Sequence, residues 1–372
     1  MASSIPSGSL LPFELVENIL YRVPVASLVR FKSTCKQWYA LLRDKRFIYE
    51  HLNLSREGFI RVHDHKSFQF INLETLDLSC LQGPCDIFLM IHCDGLLLCQ
   101  FDSEDNNLAV WNPFLRQVKW IKPSSQCRPG TYGFGYDNVS RDNYKILRFN
   151  REGIEIYEFK SQLWRSIDYS CAYYWYTWYN CHISMNGNMY WYAGRDTDNS
   201  EIEIFIQCFD FSKEVFRETC CVPFANGDWH SPLGSGFGGD RLSLLSEHKD
   251  EKMIQVWITN KVTDEIVSWS KYFNLTYEIV TRTKYFNVFP PGLSIFVSGS
   301  SSPIYCVHKT NRIMLWYEKK DHQDENIYVN LYEIGGDGVK KLVETGRQRL
   351  CDERHVRKLC YVFVPSLVPV PE

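Results

Sequence analysis

The sequence predicts an α+β multidomain protein: a small N-terminal module of three helices, followed by a large all-β domain built as an irregular β-propeller. Three observations predict it. An apolar helical stripe runs from Leu10 to Leu42. A change of texture at Phe59 then brings in short β-rich runs separated by turn residues. Through those runs, aromatic residues recur about every 48 positions.

In the first stretch, Leu15, Ile19 and Val23 fall at i, i+4 and i+8, with Val16 and Leu20 beside them, which makes one broad helical face. Pro12 suits the first helical position, and Glu14 and Glu17 favour the positive end of the helix. Pro24 stops the helix, because proline disfavours helical geometry in the residue before it. Two more short apolar runs come next, Ala26–Phe31 and Cys35–Leu42. Asp44–Leu52 then predicts a further helix with Phe47, Ile48 and His51 or Leu52 inward. About forty residues in three small helices bury too little to stand alone, so part of this surface is expected to face a partner. The polar joint Asn53–Gly58 is neither a Gly/Ser nor a Pro linker, which predicts a fairly fixed angle between the helices and the β-domain.

Beyond Phe59 the turn signals set the strands. Asp94-Gly95 predicts a tight hairpin within Ile87–Phe101, and Asn186-Gly187 another between His182–Ser184 and Met189–Tyr192. Leu108–Trp111 is a strand ending at Asn112-Pro113, and Arg116–Ile121 is the next, with Val118 and Trp120 as apolar anchors. No helix is expected after Phe59, and the tail Ser366–Glu372, rich in proline, is expected to be irregular. Strand–turn–anchor units led by Trp111, Tyr157, Phe209, Trp257 and Tyr305 are spaced by 46, 52, 48 and 48 residues. That matches the roughly 50-residue unit of kelch-type blades and allows about six of them, with a pair of β-sandwiches as the alternative. The kelch Gly-Gly pair is missing from most units, and Trp257 finds its next anchor only at Trp269.

Composition narrows the function. Of 372 residues, 45% are hydrophobic and 23% charged, as in an ordinary soluble protein, and the 15% of aromatics suit half-buried strands. A net charge of -3 gives no electrostatic footprint for nucleic acid. The N-terminus lacks a basic region ahead of its apolar segment, and the uncharged run Tyr169–Gly194 carries Asn180, Asn186, Gly187, Asn188 and several Tyr, so it reads as β-strands. Neither a secretory signal nor a membrane span is expected. The 14 cysteines are scattered without C-x-x-C spacing and read as reduced core thiols in the cytoplasm or nucleus.

Chemistry is sparse. Gly234-x-Gly236-x-x-Gly239 matches a dinucleotide fingerprint literally, but a strand rather than a helix follows at Leu242–Leu245, so it reads as an interblade loop. The ten histidines show no H-E-x-x-H or zinc-finger spacing, there is no G-x-S-x-G elbow, and no catalytic residue, metal or cofactor is expected. The aromatic run Tyr173–Tyr179 stands out. Tyr174, Trp175, Tyr176 and Trp178 are candidate target-binding residues if one face of the run is exposed, since aromatics bury large area at small rotamer cost. Packing between blades is the competing reading.

The helical segment resembles an F-box. Leu11-Pro12, Ile19-Leu20, Val23-Pro24, Ser27-Leu28, Cys35-Lys36-Gln37-Trp38 and Phe47 fit the motif in order over its whole length. The β-domain resembles the F-box-associated domain of plant F-box proteins. Cys93-Asp94-Gly95-Leu96, Trp111-Asn112-Pro113 with Arg116-Gln117, Gly135-Tyr136-Asp137 with Tyr144-Lys145-Ile146, Phe209-Asp210-Phe211 and Val364-Pro365-Ser366-Leu367 carry that resemblance. It implies an F-box over 8–52 and a propeller-like recognition domain over 58–367. The implied function is substrate recognition in a Skp–cullin–F-box ubiquitin ligase, without bond chemistry in this chain. Leu11, Pro12, Leu15, Ile19, Leu20, Pro24, Leu28, Val29 and Phe31 would dock on the Skp-type adaptor, and through it on cullin, while the β-domain holds an unknown target protein. Which of the nine face the adaptor and which pack the helices is not separable at this level. Two alternatives are a binding module without ligase output, such as a glycan or protein reader, and a propeller enzyme needing a bound metal or cofactor.

Overall fold

The computed structural model describes residues 11–64, 67–84, 87–101, 108–122, 130–150, 153–167, 182–196, 202–223, 232–236, 239–248, 253–276, 304–309, 312–320, 326–336, 338–349 and 360–372. Four helices come first: α1 (Phe13–Leu20), α2 (Val25–Phe31), α3 (Lys36–Leu41) and α4 (Lys45–Leu54). Pro12, expected at the first helical position, sits one position outside it, and Pro24, expected to stop the first helix, sits just ahead of the second. Pro12 and Pro24 are the N-caps of α1 and α2, with extended ψ of 141° and 142°. Pro24 therefore starts α2 rather than ending α1, which has already closed at Tyr21. Asp44 caps α4 by accepting from Phe47 N at 3.1 Å, one of the orphan amides of a first turn. The inward faces supply Leu20, Val25, Leu28, Leu41, Leu42, Phe47, Ile48 and Leu52, all buried.

The remaining chain forms a propeller of six four-stranded antiparallel sheets. The first blade joins the two ends of the domain, with β24 (Cys360–Phe363) innermost, then β1 (Gly58–Asp64), β2 (Ser67–Asn72) and β3 (Leu78–Gln82). The second holds β4 (Ile87–Cys93), β5 (Leu96–Phe101), β6 (Leu108–Asn112) and β7 (Gln117–Ile121). The third holds β8 (Thr131–Tyr136), β9 (Tyr144–Asn150), β10 (Gly153–Glu158) and β11 (Leu163–Ile167), and the fourth β12 (His182–Met185), β13 (Asn188–Asp196), β14 (Ile202–Asp210) and β15 (Val215–Cys221). The fifth holds β16 (Leu233–Ser235), β17 (Leu242–His248), β18 (Met253–Thr259) and β19 (Trp269–Thr276), and the sixth β20 (Ile304–Lys309), β21 (Arg312–Lys320), β22 (Asn326–Gly335) and β23 (Gly338–Arg349). Pairing β24 with β1, Phe59 opposite Val362, closes the ring and leaves no open seam.

The period has a physical origin in one repeated turn. In the first four blades the third strand ends in a residue followed by a four-residue turn whose last member is left-handed: Leu76, Arg116, Gln162 and Glu214, at φ 56–60°. Asn72, Asn112 and Asp210 hold it by accepting from the backbone amides two and three residues on, at 2.8 to 3.3 Å. The geometry places the anchor directly across the ladder from the lead: Trp111 opposite Val118, Tyr157 opposite Trp164, Phe209 opposite Phe216. Two expectations need correction here. Val118 and Trp120 are exposed on the outer strand, so they are not core anchors. Tyr305 lies on β20, the innermost strand of its blade, whereas the four earlier leads lie on third strands, so it is out of phase.

Two further points differ from expectation. The Gly234–Gly239 segment is not an interblade loop but the hairpin between β16 and β17 of one blade, closed by Gly236 N to Arg241 O at 2.7 Å. The tail is irregular, as expected, yet Ser366, Leu367 and Val368 are buried. Leu367 and Val368 share one core cluster with Leu20, Leu28, Phe47 and Leu52, so the helical module, the propeller and the C-terminus pack as one body. No helix among the described residues is long and apolar enough to cross a membrane. Of the described cysteines, Cys93, Cys99, Cys208, Cys306 and Cys360 are buried.

Candidate functional site

Burial sorts the nine candidate docking residues, which lie on and around α1 and α2. Leu11 is 59% exposed, Leu15 49% and Ile19 54%, and Pro12 and Pro24 are also exposed. Leu20 at 3% and Leu28 at 0% instead form the module's own core, while Val29 and Phe31 are half-buried. Helical spacing explains the split. Ile19 and Leu15 lie four apart on one face, and Leu20 is turned about 100° away onto the face that meets Val25 and Phe47. Phe13, 42% exposed beside Leu11, belongs with the exposed residues although the periodicity did not single it out. Leu11, Leu15 and Ile19 thus form a row of large aliphatic side chains exposed on a small module.

The angle between this face and the propeller is fixed by a clamp. Arg141, in the β8–β9 turn, donates to Asp94 Oδ2 and Oδ1 at 2.9 and 3.1 Å and to Asn53 Oδ1 at 3.3 Å. Its guanidinium stacks 4.6 Å from the Tyr49 ring of α4, and Tyr49 Oη donates to the Arg141 carbonyl at 3.1 Å. Lys45 on α4 pairs with Asp142. Three parts thus meet at one guanidinium: the end of α4, the Asp94-Gly95 hairpin of the second blade, and the third blade. The fixed angle expected from the polar joint is therefore produced by these side chains. A bidentate arginine–carboxylate pair is the stiffest such contact available.

A second device holds the tail to the same hairpin. His92 Nε2 accepts from Gly95 N at 2.9 Å and from Val364 N at 3.3 Å, so the ring is neutral with its proton on Nδ1. Burial lowers its pKa to about 4. Asn112 Nδ2 donates to the Ser366 and Val368 carbonyls at 3.2 and 2.7 Å. At Gly95 (φ +79°) an added Cβ would stand 2.1 Å from the Ser366 Cβ, so only glycine fits under the tail.

On the propeller axis lies a cavity of about 1020 Å³ reached by strands of all six blades and by Ser55–Glu57 of the joint. Asn53, Asp94, Arg141 and Asn186 carry its lining to the rim that holds the helices, where the strand 1–2 and 3–4 turns of the blades gather. The antiparallel alternation puts the strand ends that flank the remaining connections on the opposite rim. Ile167 to His182, Pro223 to Pro232 and Thr276 to Ile304 all leave and return there. The candidate target-binding residues Tyr174, Trp175, Tyr176 and Trp178 fall in the first of these and lie outside the described residues. Among the described residues no cluster of three or more His, Cys, Asp or Glu could hold a metal ion.

Comparison with known proteins agrees with both halves of this architecture. Residues 9–50 match the F-box domain family, and residues 40–370 match the family described as F-box associated beta propeller domain. In Arabidopsis thaliana, the F-box protein At3g08750 is 42% identical with all of both chains covered. The putative F-box only protein 15 is 40% identical, covering 97% of each chain. The F-box/WD-40 repeat-containing protein 1 is 39% identical, covering 100% of this chain and 92% of its own.

Proposed function

The chain belongs to the F-box proteins that carry an F-box-associated β-propeller, and from that membership we propose that it is the non-catalytic substrate-recognition subunit of a Skp–cullin–F-box ubiquitin ligase. The observation that carries the reading is the exposed apolar face of α1. Leu11, Pro12, Leu15, Ile19 and Pro24 dock on the Skp-type adaptor, with Phe13 beside them and Val29 and Phe31 at the margin. Leu20 and Leu28 hold the module's shape. Each exposed aliphatic side chain buried on the adaptor contributes about 1.5–3 kcal/mol.

The division of labour matches the two rims. The F-box over 8–52 stands on one, and the propeller over 58–367 offers the long connections of the other to a target protein, Tyr174, Trp175, Tyr176 and Trp178 among them. Bound to cullin through the adaptor, the chain raises the effective concentration of the target's lysines at the ubiquitin-loaded enzyme. The rigid Arg141 clamp supports this role, since a fixed angle between the rims sets where those lysines are presented. The place of action is assigned to the cytoplasm or nucleus, and kelch-like kinship of the blades is proposed on their spacing alone. The test is reconstitution with a Skp-type adaptor, cullin, its RING subunit and a ubiquitin-conjugating enzyme. Transfer to proteins retained by the propeller is expected. Adaptor binding with no transfer to anything retained would instead mark a binding module without ligase output.

A further inference from the structure

The axial cavity has no task in adaptor docking or in target capture by the far rim, and one of the three carboxylates that line it has no cation partner among the described residues. Arg56 Nε lies 3.3 Å from Glu74 Oε1, Arg141 holds Asp94, and Arg312 pairs with Glu333. Glu57 remains. Among the described residues its carboxylate meets no cation, and its one partner is the Ser235 hydroxyl, which donates to Oε1 at 3.0 Å. Ser235 is itself fixed, because its carbonyl accepts from Ser243 Oγ at 3.0 Å, and that hydroxyl pairs with Tyr305 Oη at 2.9 Å. The carboxylate is therefore aimed by the fifth blade and by the joint between α4 and β1. Burial without a counter-charge raises its pKa above the ordinary carboxylate value. Ile183, Ile304, Val362 and Val364 line the same cavity as half-buried aliphatic walls.

We propose that the axial cavity is a binding site for a small organic cation, a primary amine with an apolar body. Its ammonium completes Glu57, and its body lies on Ile183, Ile304, Val362 and Val364. The chemistry selects this class. One carboxylate cannot supply the six to eight oxygen ligands of a calcium ion, whereas an ammonium needs only one anion and a few acceptors. The volume is that of ordinary small-molecule sites, in which apolar walls carry a few placed polar groups. Because Glu57 lies in the joint below α4, an occupied cavity also stiffens the link between the helices and the propeller.

The experiment uses the full chain and calorimetric titration with 2-phenylethylamine, against 2-phenylethanol as the neutral probe of the same shape. The amine is expected to bind with a dissociation constant of about 1 mM or tighter and the alcohol at least tenfold more weakly. Glu57→Gln, which keeps an acceptor for Ser235, should lose that preference while retaining the wild-type melting temperature. Ile183→Trp, which crowds the apolar wall and leaves the carboxylate, should weaken amine binding and settles the matter if Glu57→Gln fails to fold. Equal binding of amine and alcohol, undiminished amine binding by folded Glu57→Gln or by Ile183→Trp, or no saturable heat with the amine would each overturn the proposal. None of these results bears on adaptor docking.

Discussion

Replacing Arg141 with Met keeps an unbranched stem and removes the guanidinium. The loss is two charge-assisted hydrogen bonds to Asp94, one to Asn53 and the stacking on Tyr49. Asp94 is then left with the Tyr144 hydroxyl at 3.3 Å as its remaining side-chain donor, in a place where its side chain is only 15% exposed. Breaking a fully buried pair on one side costs about 3–5 kcal/mol, and an exposed pair contributes at most about 1. Arg141 is 31% exposed, so a cost of about 2–3 kcal/mol is expected. Much of it is the stranded carboxylate, and Asp94→Asn in the same chain should return part of it. Urea unfolding of wild type, both single variants and the double variant closes the cycle, with a coupling of at least about 1 kcal/mol expected. Limited proteolysis should also cut faster within 53–58 in Arg141→Met. Additivity within about 0.5 kcal/mol, or an uncut joint, would show that the arginine is not what fixes the helices to the propeller.

Three further outcomes rest on the same packing. The pKa of His92 is lowered on folding, so its contribution is fully present above the unfolded value near 6.5 and is lost as pH falls toward about 4. Denaturation at a series of pH values should show up to about 3 kcal/mol lost across that window, less in His92→Gln, whose amide oxygen accepts in place of the imidazole. His51, also lowered by burial, adds loss in the same direction. Glu214→Gln strands Lys145, a nearly buried ammonium whose partners are Glu214 at 2.8 Å and the Phe211 carbonyl at 3.1 Å, and should cost about 2–3 kcal/mol in urea unfolding. Gly95→Ala forces both a strained φ and a clash with Ser366, so it should release the tail, lower the melting temperature and speed hydrogen exchange of the Val368 amide.

Local chemistry was legible in the chain and distant chemistry was not. Asp94-Gly95 and Asn186-Gly187 predict their hairpins because a two-residue turn with both φ positive is a demand on those two residues alone. The strand–turn–anchor period is legible for the same reason, since Asn72, Asn112 and Asp210 act on amides two and three residues away. It fails at Tyr305 because nothing local keeps successive blades in phase once a connection lengthens. That Asp94 also holds Arg141, 47 residues on, and through it α4, has no signature in sequence. Neither has the burial of Ser366–Val368, whose proline-rich surroundings read as a loose end. Glu57 passes for one polar residue in a polar joint until the ring closes around it. The exposed and buried residues of α1 were likewise inseparable before α2 and α4 showed which face they cover.

Docking on a Skp-type adaptor is proposed for the apolar row formed by Leu11, just ahead of α1, with Leu15 and Ile19 on it. Leu20, although on the same helix, is a poor probe of it, because a carboxylate there would disrupt the module itself. The measurement is the dissociation constant of the adaptor for wild type and for Ile19→Asp, with Leu163→Asp, an equally accessible leucine on the outer strand of the third blade, as control. Losing an interfacial isoleucine and burying a carboxylate should weaken binding by at least about a hundredfold, while the control binds as wild type does. A folded Ile19→Asp protein that binds the adaptor at wild-type affinity would contradict the account.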